Sequence, residues 1–191
     1  MNKTIIKDLR LIRTKRYLGK ALFELLEHIP FEKISVMDIC KKAMVHRATF
    51  YNHFDSKENL LEFVIDELKE ELFLSAIEKE TYNSPKEMYI SLIGKVFDFV
   101  QENRQKILLI LKQNSFEKAA GFLVATTTDI LEHLIDKNKY RKNYTIPKKI
   151  LIDFFSGGVV NIGLNWLLSP NPCSKEELLK YFDILLNNKI F

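Results

Sequence analysis

A chain of 191 residues with 47% hydrophobic and 28% charged residues has room for one ordinary domain, or a small domain attached to a larger one. Six Gly and five Pro leave little for the turns of an all-β fold, and two cysteines, Cys40 and Cys173, are too few and too far apart for a disulfide framework. The net charge of +4 is unevenly placed: residues 1–57 hold 12 Lys/Arg against 6 Asp/Glu and the remainder 17 against 19, so a surface meant for a polyanion belongs at the N-terminal end.

The first element expected is a helix over Asp8–Ile29, with Leu11, Leu18, Ala21, Leu22, Leu25, Leu26 and Ile29 on one face and Pro30 as its stop. Ser35-Val36-Met37-Asp38 has the pattern of a capping box, flanked by Ile34 and Ile39 at the spacing of a hydrophobic staple. A short helix from Val36 to about Ala43 follows, then a turn at Met44-Val45-His46 and a third helix from Arg47 to about His53. Asp55 or Ser56 caps a longer helix, roughly Lys57–Glu80. Ser84-Pro85-Lys86-Glu87 opens the next, with Ser as cap and Pro in the first turn, and it runs to about Asn103. Helices over about Arg104–Lys112 and Ser115–Asp136 precede a basic loop, Lys137–Asn143. Pro147–Leu168 is the most apolar helix, and Ser174 with Glu177 caps a last one ending near Asn187. The fold class expected is therefore all-α with about nine helices: a three-helix unit over 1–56 joined to a larger helical domain over 57–191.

Ile150–Leu168 is 19 residues long with one charge, Asp153, a length that admits a membrane span. It also carries Ser156, Asn161 and Asn165, and its apolar residues lie all round, the pattern of a helix covered by its own bundle on one side and a second subunit on the other. Gly157, Gly158 and Gly163 would let a partner backbone approach. Phe155, Gly158, Ile162 and Trp166 here, with Tyr181 on the last helix, are the interface candidates, and no membrane partner is expected.

Two short helices joined by a tight turn have the proportions of a helix-turn-helix, whose second helix enters the major groove. Phe50 and Phe54, four apart, turn inward with Val45, leaving Ala48 and Asn52 outward and Thr49 and Tyr51 on the flanks. Ala48 is small enough to let the helix sit deep, and Thr49 offers a hydroxyl and a methyl to a base edge. Arg47, Tyr51, His53 and Lys57 stand at the rim, where phosphate contacts fix register without reading sequence. Ser35 begins the preceding helix with a hydroxyl and free amides.

The stretch Arg47-x-Thr49-Phe50-Tyr51-x-His53-Phe54-x-Ser56-Lys57-Glu58-x-Leu60, with Ser35, Ile39, Ala43 and Val45 before it, resembles the DNA-binding domain of the tetracycline-repressor (TetR) family. The match covers roughly residues 10–65; beyond it only the helical layout is similar. The resemblance implies a cytoplasmic homodimer that reads a palindromic operator in double-stranded DNA and represses transcription until a small-molecule effector enters the C-terminal domain. It implies base contacts by Arg47, Ala48 and Thr49, and backbone contacts by Ser35, Tyr51, His53 and Lys57, to which His46 and Asn52 add. Two positions depart from the family pattern: Met44 stands where the turn usually has Gly or another small or polar residue, and His46 where the helix start usually has Ser or Thr.

Met88, Phe97, Phe116 and Phe122 are candidates for an effector pocket, although bulky residues at helical spacing more often form core. Catalysis is not expected. His28, His46, His53 and His133 form no metal-ligand spacing, and neither a Gly-rich phosphate loop nor a nucleophile elbow occurs, so no metal or cofactor is implied. The alternative to an operator-reading regulator is a TetR-like dimer that regulates through a partner protein.

Overall fold

The computed structural model describes residues 3–78, 81–113, 116–137, 146–170 and 172–187, without the side chains of 3–10 and 113–119. Among the described residues there are nine α-helices, one 3-10 turn and no strand. They are α1 (Lys3–Leu26), the 3-10 turn Phe31–Lys33, α2 (Val36–Lys42), α3 (Arg47–Tyr51), α4 (Lys57–Ile77), α5 (Pro85–Glu102), α6 (Arg104–Gln113), α7 (Phe116–Lys137), α8 (Lys148–Leu168) and α9 (Lys175–Leu186). α1 starts five residues ahead of the expected Asp8. The basic loop expected over 137–143 lies, from residue 138 on, outside the described residues.

Three helix starts are built by their own side chains. The Ser35 hydroxyl accepts the Asp38 amide while the Asp38 carboxylate accepts the Ser35 amide, at 3.2 and 3.0 Å. Ser174 and Glu177 repeat the exchange at α9, and Ser84 accepts the Glu87 amide at α5, with Pro85 in the first turn where its missing N–H costs nothing.

Two compact units divide the chain, Met1–Leu68 and Lys69–Phe191. The division falls within α4, whose buried Leu60, Leu61, Val64 and Leu68 lie in the first unit. That unit has Leu18, Leu22, Ile34, Ile39 and Phe50 as its fully buried centre. Gly19 makes the approach of α1 to α4 possible: a Cβ there would stand 2.7 Å from a Val64 methyl.

The second unit is a helical bundle in which α8 packs on α7 and α5, and α9 on α5. α8 is long and apolar enough to cross a membrane by length and composition, with 39% of its apolar window buried. Its inner positions, among them Ile152, Val159, Val160, Leu164 and Leu167, join the core with Met88, Ile93, Phe97 and Ile130. Polar clamps fix helix ends: Lys95 donates to the Ala76 carbonyl near the end of α4 (3.1 Å), Arg104 to the Leu167 carbonyl (2.9 Å), and the Trp166 indole N–H to the Cys173 carbonyl (2.7 Å). Lys175 pairs with Asp98 and holds α9 to α5.

Candidate nucleic-acid interface

α2 ends in a tight reversal. The Val45 amide reaches back to the Cys40 carbonyl (3.0 Å) and the Met44 amide to the Lys41 carbonyl (3.2 Å), the two bonds of a Schellman cap. Such a cap needs a left-handed residue between them, and Met44 takes it with φ 54°, its side chain 92% exposed. The departure noted in the sequence is thus a residue held where glycine is favoured. His46 then starts α3 in an extended conformation without a side-chain cap bond.

α3 is a five-residue helix anchored through Phe50, which is completely buried and meets Phe54 at 5.9 Å between ring centroids. Burial of that one face leaves Arg47, Ala48, Tyr51 and Asn52 exposed and Thr49 half-buried. The Arg47 guanidinium lies over the Tyr51 ring (5.4 Å to the centroid) and donates to its hydroxyl at 3.2 Å. That hydrogen bond raises the already high Arg47 pKa, and the two side chains form one cationic, aromatic surface on successive turns. Among the described residues the Thr49 hydroxyl has no hydrogen-bond partner, which leaves it available to a base edge.

The other sequence-predicted residues are disposed less simply. His53 is half-buried; burial first, then the nearby Lys15 charge, lowers its pKa, so near neutral pH it offers an uncharged ring. The Ser35 hydroxyl donates to the Asp38 carboxylate at 2.6 Å, and that hydrogen bond holds the Asp38 pKa below the usual range. The start of α2 therefore already carries an anion of its own. Lys57 is engaged with backbone: its ammonium donates to the carbonyls of Phe31 (2.7 Å), Ile34 (2.9 Å) and Glu32 (3.2 Å) and stands 4.6 Å from the Phe31 ring centroid. Cys40 is buried, and that burial raises its thiol pKa, which suits a packing residue.

In the second unit, Met88 and Phe97 are completely buried, Phe122 is half-buried beside Leu123, and the Phe116 side chain lies outside the described residues. A cavity of about 10 Å³, space for about one water molecule, lies elsewhere, between Leu72, Val96, Val100, Leu123, Thr127, Val160 and Leu164. Thr127 is its one hydroxyl, and that group already donates to the Leu123 carbonyl at 2.8 Å. Met88, Phe97 and Phe122 do not line this cavity.

The outward sides of α8 and α9 carry large apolar residues among polar ones such as Lys149, Asp153, Asn161 and Lys180. Ile150, Phe154 and Leu168 are exposed on α8, Phe154 to 72%, and Tyr181, Ile184 and Leu185 on α9. Gly158 is exposed, and a Cβ added there or at Gly157 would meet nothing within 4 Å. Of the other interface candidates, Phe155 stacks on Tyr89 at 4.3 Å and Trp166 meets Phe97 edge-on at 5.4 Å, so both are partly engaged inside the protomer, and Ile162 is half-buried. Phe154 and Ile150, which the sequence reading passed over, are the more exposed members of this face; their four-residue spacing is the signal that could have found them.

Two family models match the chain: bacterial regulatory proteins of the tetR family over residues 20–64, and a transcriptional regulator C-terminal region over residues 87–188. Among curated proteins, an uncharacterized HTH-type transcriptional regulator of Bacillus subtilis, YxbF, is 41% identical over 59 residues; that match covers 30% of the chain and only 16% of YxbF's own length. The HTH-type dhaKLM operon transcriptional activator DhaS of Lactococcus lactis is 28% identical over 144 residues, 75% of the chain and 68% of DhaS. Among solved structures, a TetR transcriptional regulator from Streptococcus agalactiae is 26% identical with a TM-score of 0.62, covering 96% of this chain and 99% of that one. The structure of the dihydroxyacetone kinase operon activator DhaS has a TM-score of 0.66 at 23% identity, with 94% and 97% covered, a likeness of fold.

Proposed function

Because the chain belongs to the TetR family of DNA-binding transcriptional regulators, we propose that it works as a cytoplasmic homodimer that reads a two-fold-related operator through α3. The observation that carries this reading is the division of α3 into a buried Phe50 face and an outward face of Arg47, Ala48, Thr49, Tyr51 and Asn52. Arg47 and Thr49 contact bases, with Ala48 giving the helix room to sit deep. Tyr51, Asn52, His46 and His53 contact the backbone. Ser35, whose hydroxyl and amide already hold Asp38, supports α2 first and touches phosphate only at its margin. The apolar face of α8 and α9, centred on Phe154 and Gly158, is covered by the same face of a second copy, an isologous contact of the kind two-fold symmetry produces.

Repression, by occupying promoter DNA, is the outcome we assign. The similarity to DhaS, an activator by name, supports the opposite sign as a second reading.

The test is selection of binding sites from a random DNA pool by the purified protein at moderate salt. Enrichment of a two-fold site with half-sites about 10 base pairs apart or a little more is expected. Folded, dimeric protein that enriches nothing would refute operator reading by the chain alone. A reporter carrying the selected site then gives the sign: expression that rises on deletion of the gene is repression, and expression that falls is activation.

A further inference from the structure

The strongest unassigned arrangement in the first unit is the cation at Lys15 of α1. Its ammonium stands 5.3 Å from the Phe63 ring centroid and 5.6 Å from that of Phe54, within the range of cation–π attraction. The two ring centroids are themselves 5.5 Å apart, so α1, the segment after α3 and α4 meet at one point. Phe54 follows His53 directly, and their ring centroids are 6.4 Å apart. Lys15 is half-buried, and among the described residues its ammonium has no hydrogen-bond or ion-pair partner. Arg16 and Lys20 on the same helix, by contrast, face carboxylates, Glu67 at 2.8 Å and Glu24 at 3.9 Å. An ammonium carries three N–H donors, and a ring face does not replace an oxygen acceptor for them. Lys15 is thus a cation fixed in place without an acceptor, beside the segment that joins α3 to α4.

We propose that Lys15 and His53 together bind one phosphate of the DNA backbone at the junction of α3 and α4, Lys15 supplying the charge and the His53 ring a hydrogen bond. The proposal rests on the operator-reading function given above and adds to it a contact from α1. His53 feels the Lys15 charge, which after burial is the second cause of its lowered pKa. Near neutral pH the ring can donate a hydrogen bond but brings no charge of its own. An anion arriving here therefore has Lys15 as its charge partner. The two rings already restrict the ammonium, so less side-chain freedom is lost when a phosphate oxygen reaches it. Because the site touches backbone alone, it holds the register of α3 without favouring any base.

The test is the salt dependence of DNA affinity for the full chain, measured on the selected operator and on duplex of random sequence. Lys15→Met removes the charge but keeps an apolar stem against the two rings, and its helical spectrum and urea midpoint show that it folds. The slope of log affinity against log salt should fall by about 0.9 on both duplexes, about eightfold in affinity per decade of salt. Lys15→Arg keeps the charge and the ring contact and should keep the slope. Lys20→Met, which takes the same charge from the same helix, should leave the slope unchanged. A lysine that only clamps the rings would give weaker binding by Lys15→Met at an unchanged slope, and that result overturns the proposal. Sharing of one phosphate is read from a double-mutant cycle: His53→Gln should cost less affinity in Lys15→Met than in wild type, and equal costs in the two backgrounds overturn the shared site. Wild-type protein that selects no operator would refute the function instead, and the slope on random duplex would still decide what Lys15 contacts.

Discussion

Replacing Met44 with Gly should stabilise the N-terminal unit, and the turn itself gives the size of the gain. Met44 sits at φ 54° between the two backward hydrogen bonds that close α2. A side chain with a Cβ in the left-handed region costs about 1–2 kcal/mol. Glycine removes that cost but brings a more mobile unfolded chain, which returns roughly 0.5–1 kcal/mol of it. With 92% of the residue exposed, loss of the methionine side chain forfeits almost no burial. The expected net gain is about 0.5–1 kcal/mol, which at a urea dependence of about 2 kcal/mol per molar moves the midpoint up by roughly 0.4 M. The assay is urea unfolding by far-UV circular dichroism at fixed protomer concentration, because a dimer's stability depends on it. Trp166, the single tryptophan, reports the second unit alone and serves as an internal control. Met44→Ala retains the Cβ and should bring no gain. If Ala stabilises as much as Gly, the cost lies in the exposed thioether and not in φ, and the reasoning fails.

Thr49→Ala should change base preference at one position in each half-site, while Tyr51→Ala, by removing a backbone contact, should weaken binding to all sequences; equal, sequence-blind losses from both in a competition assay would contradict the assignment of Thr49. His53→Gln should leave the salt slope of DNA binding unchanged near neutral pH, where the lowered pKa keeps the ring uncharged. The same shift gives the sign of a stability effect. The unfolded chain takes up the proton first, so stability due to this ring is complete at neutral pH and declines as pH falls through the ordinary imidazole pKa; wild type and His53→Gln compared in unfolding at acid and neutral pH should differ in that direction. Phe154→Glu should leave the helical spectrum intact and convert a dimer to a monomer in sedimentation, because it places a charge at the centre of the outward α8 face. A dimer that survives this change lies on another face.

What the sequence made legible was local. The caps at Ser35, Ser84 and Ser174 are contained within four residues each, so the pattern of donors and acceptors is already in the string. The inward turn of Phe50 and Phe54 follows equally from their spacing, and with it the outward face of α3. Contacts between distant segments were out of reach. Lys57 stands at a helix start, where a rim cation is a natural expectation, and nothing in its neighbourhood announces three carbonyls 23 to 26 residues upstream. Periodicity also does not distinguish a wall from a core. Met88 and Phe97 have the spacing of either and are completely buried. For the same reason the sequence does not assign the leucines of α4, of which Leu60, Leu61 and Leu68 fall in the first unit, since an amphipathic helix does not declare which neighbour its apolar side will meet.

The one-water cavity between α5, α7 and α8 bears on how such a regulator acquires an input. Its walls are aliphatic side chains and one threonine, so a chamber can be made there by subtraction: a single leucine cut back to alanine, such as Leu164, opens it at a cost of roughly 2–5 kcal/mol. A ligand that fills the vacancy returns part of that loss and so favours the folded arrangement it fits. Ligand-sized space in this part of the bundle is then one substitution away from a packed core, and whatever stability the rest of the fold supplies sets whether the step is permitted.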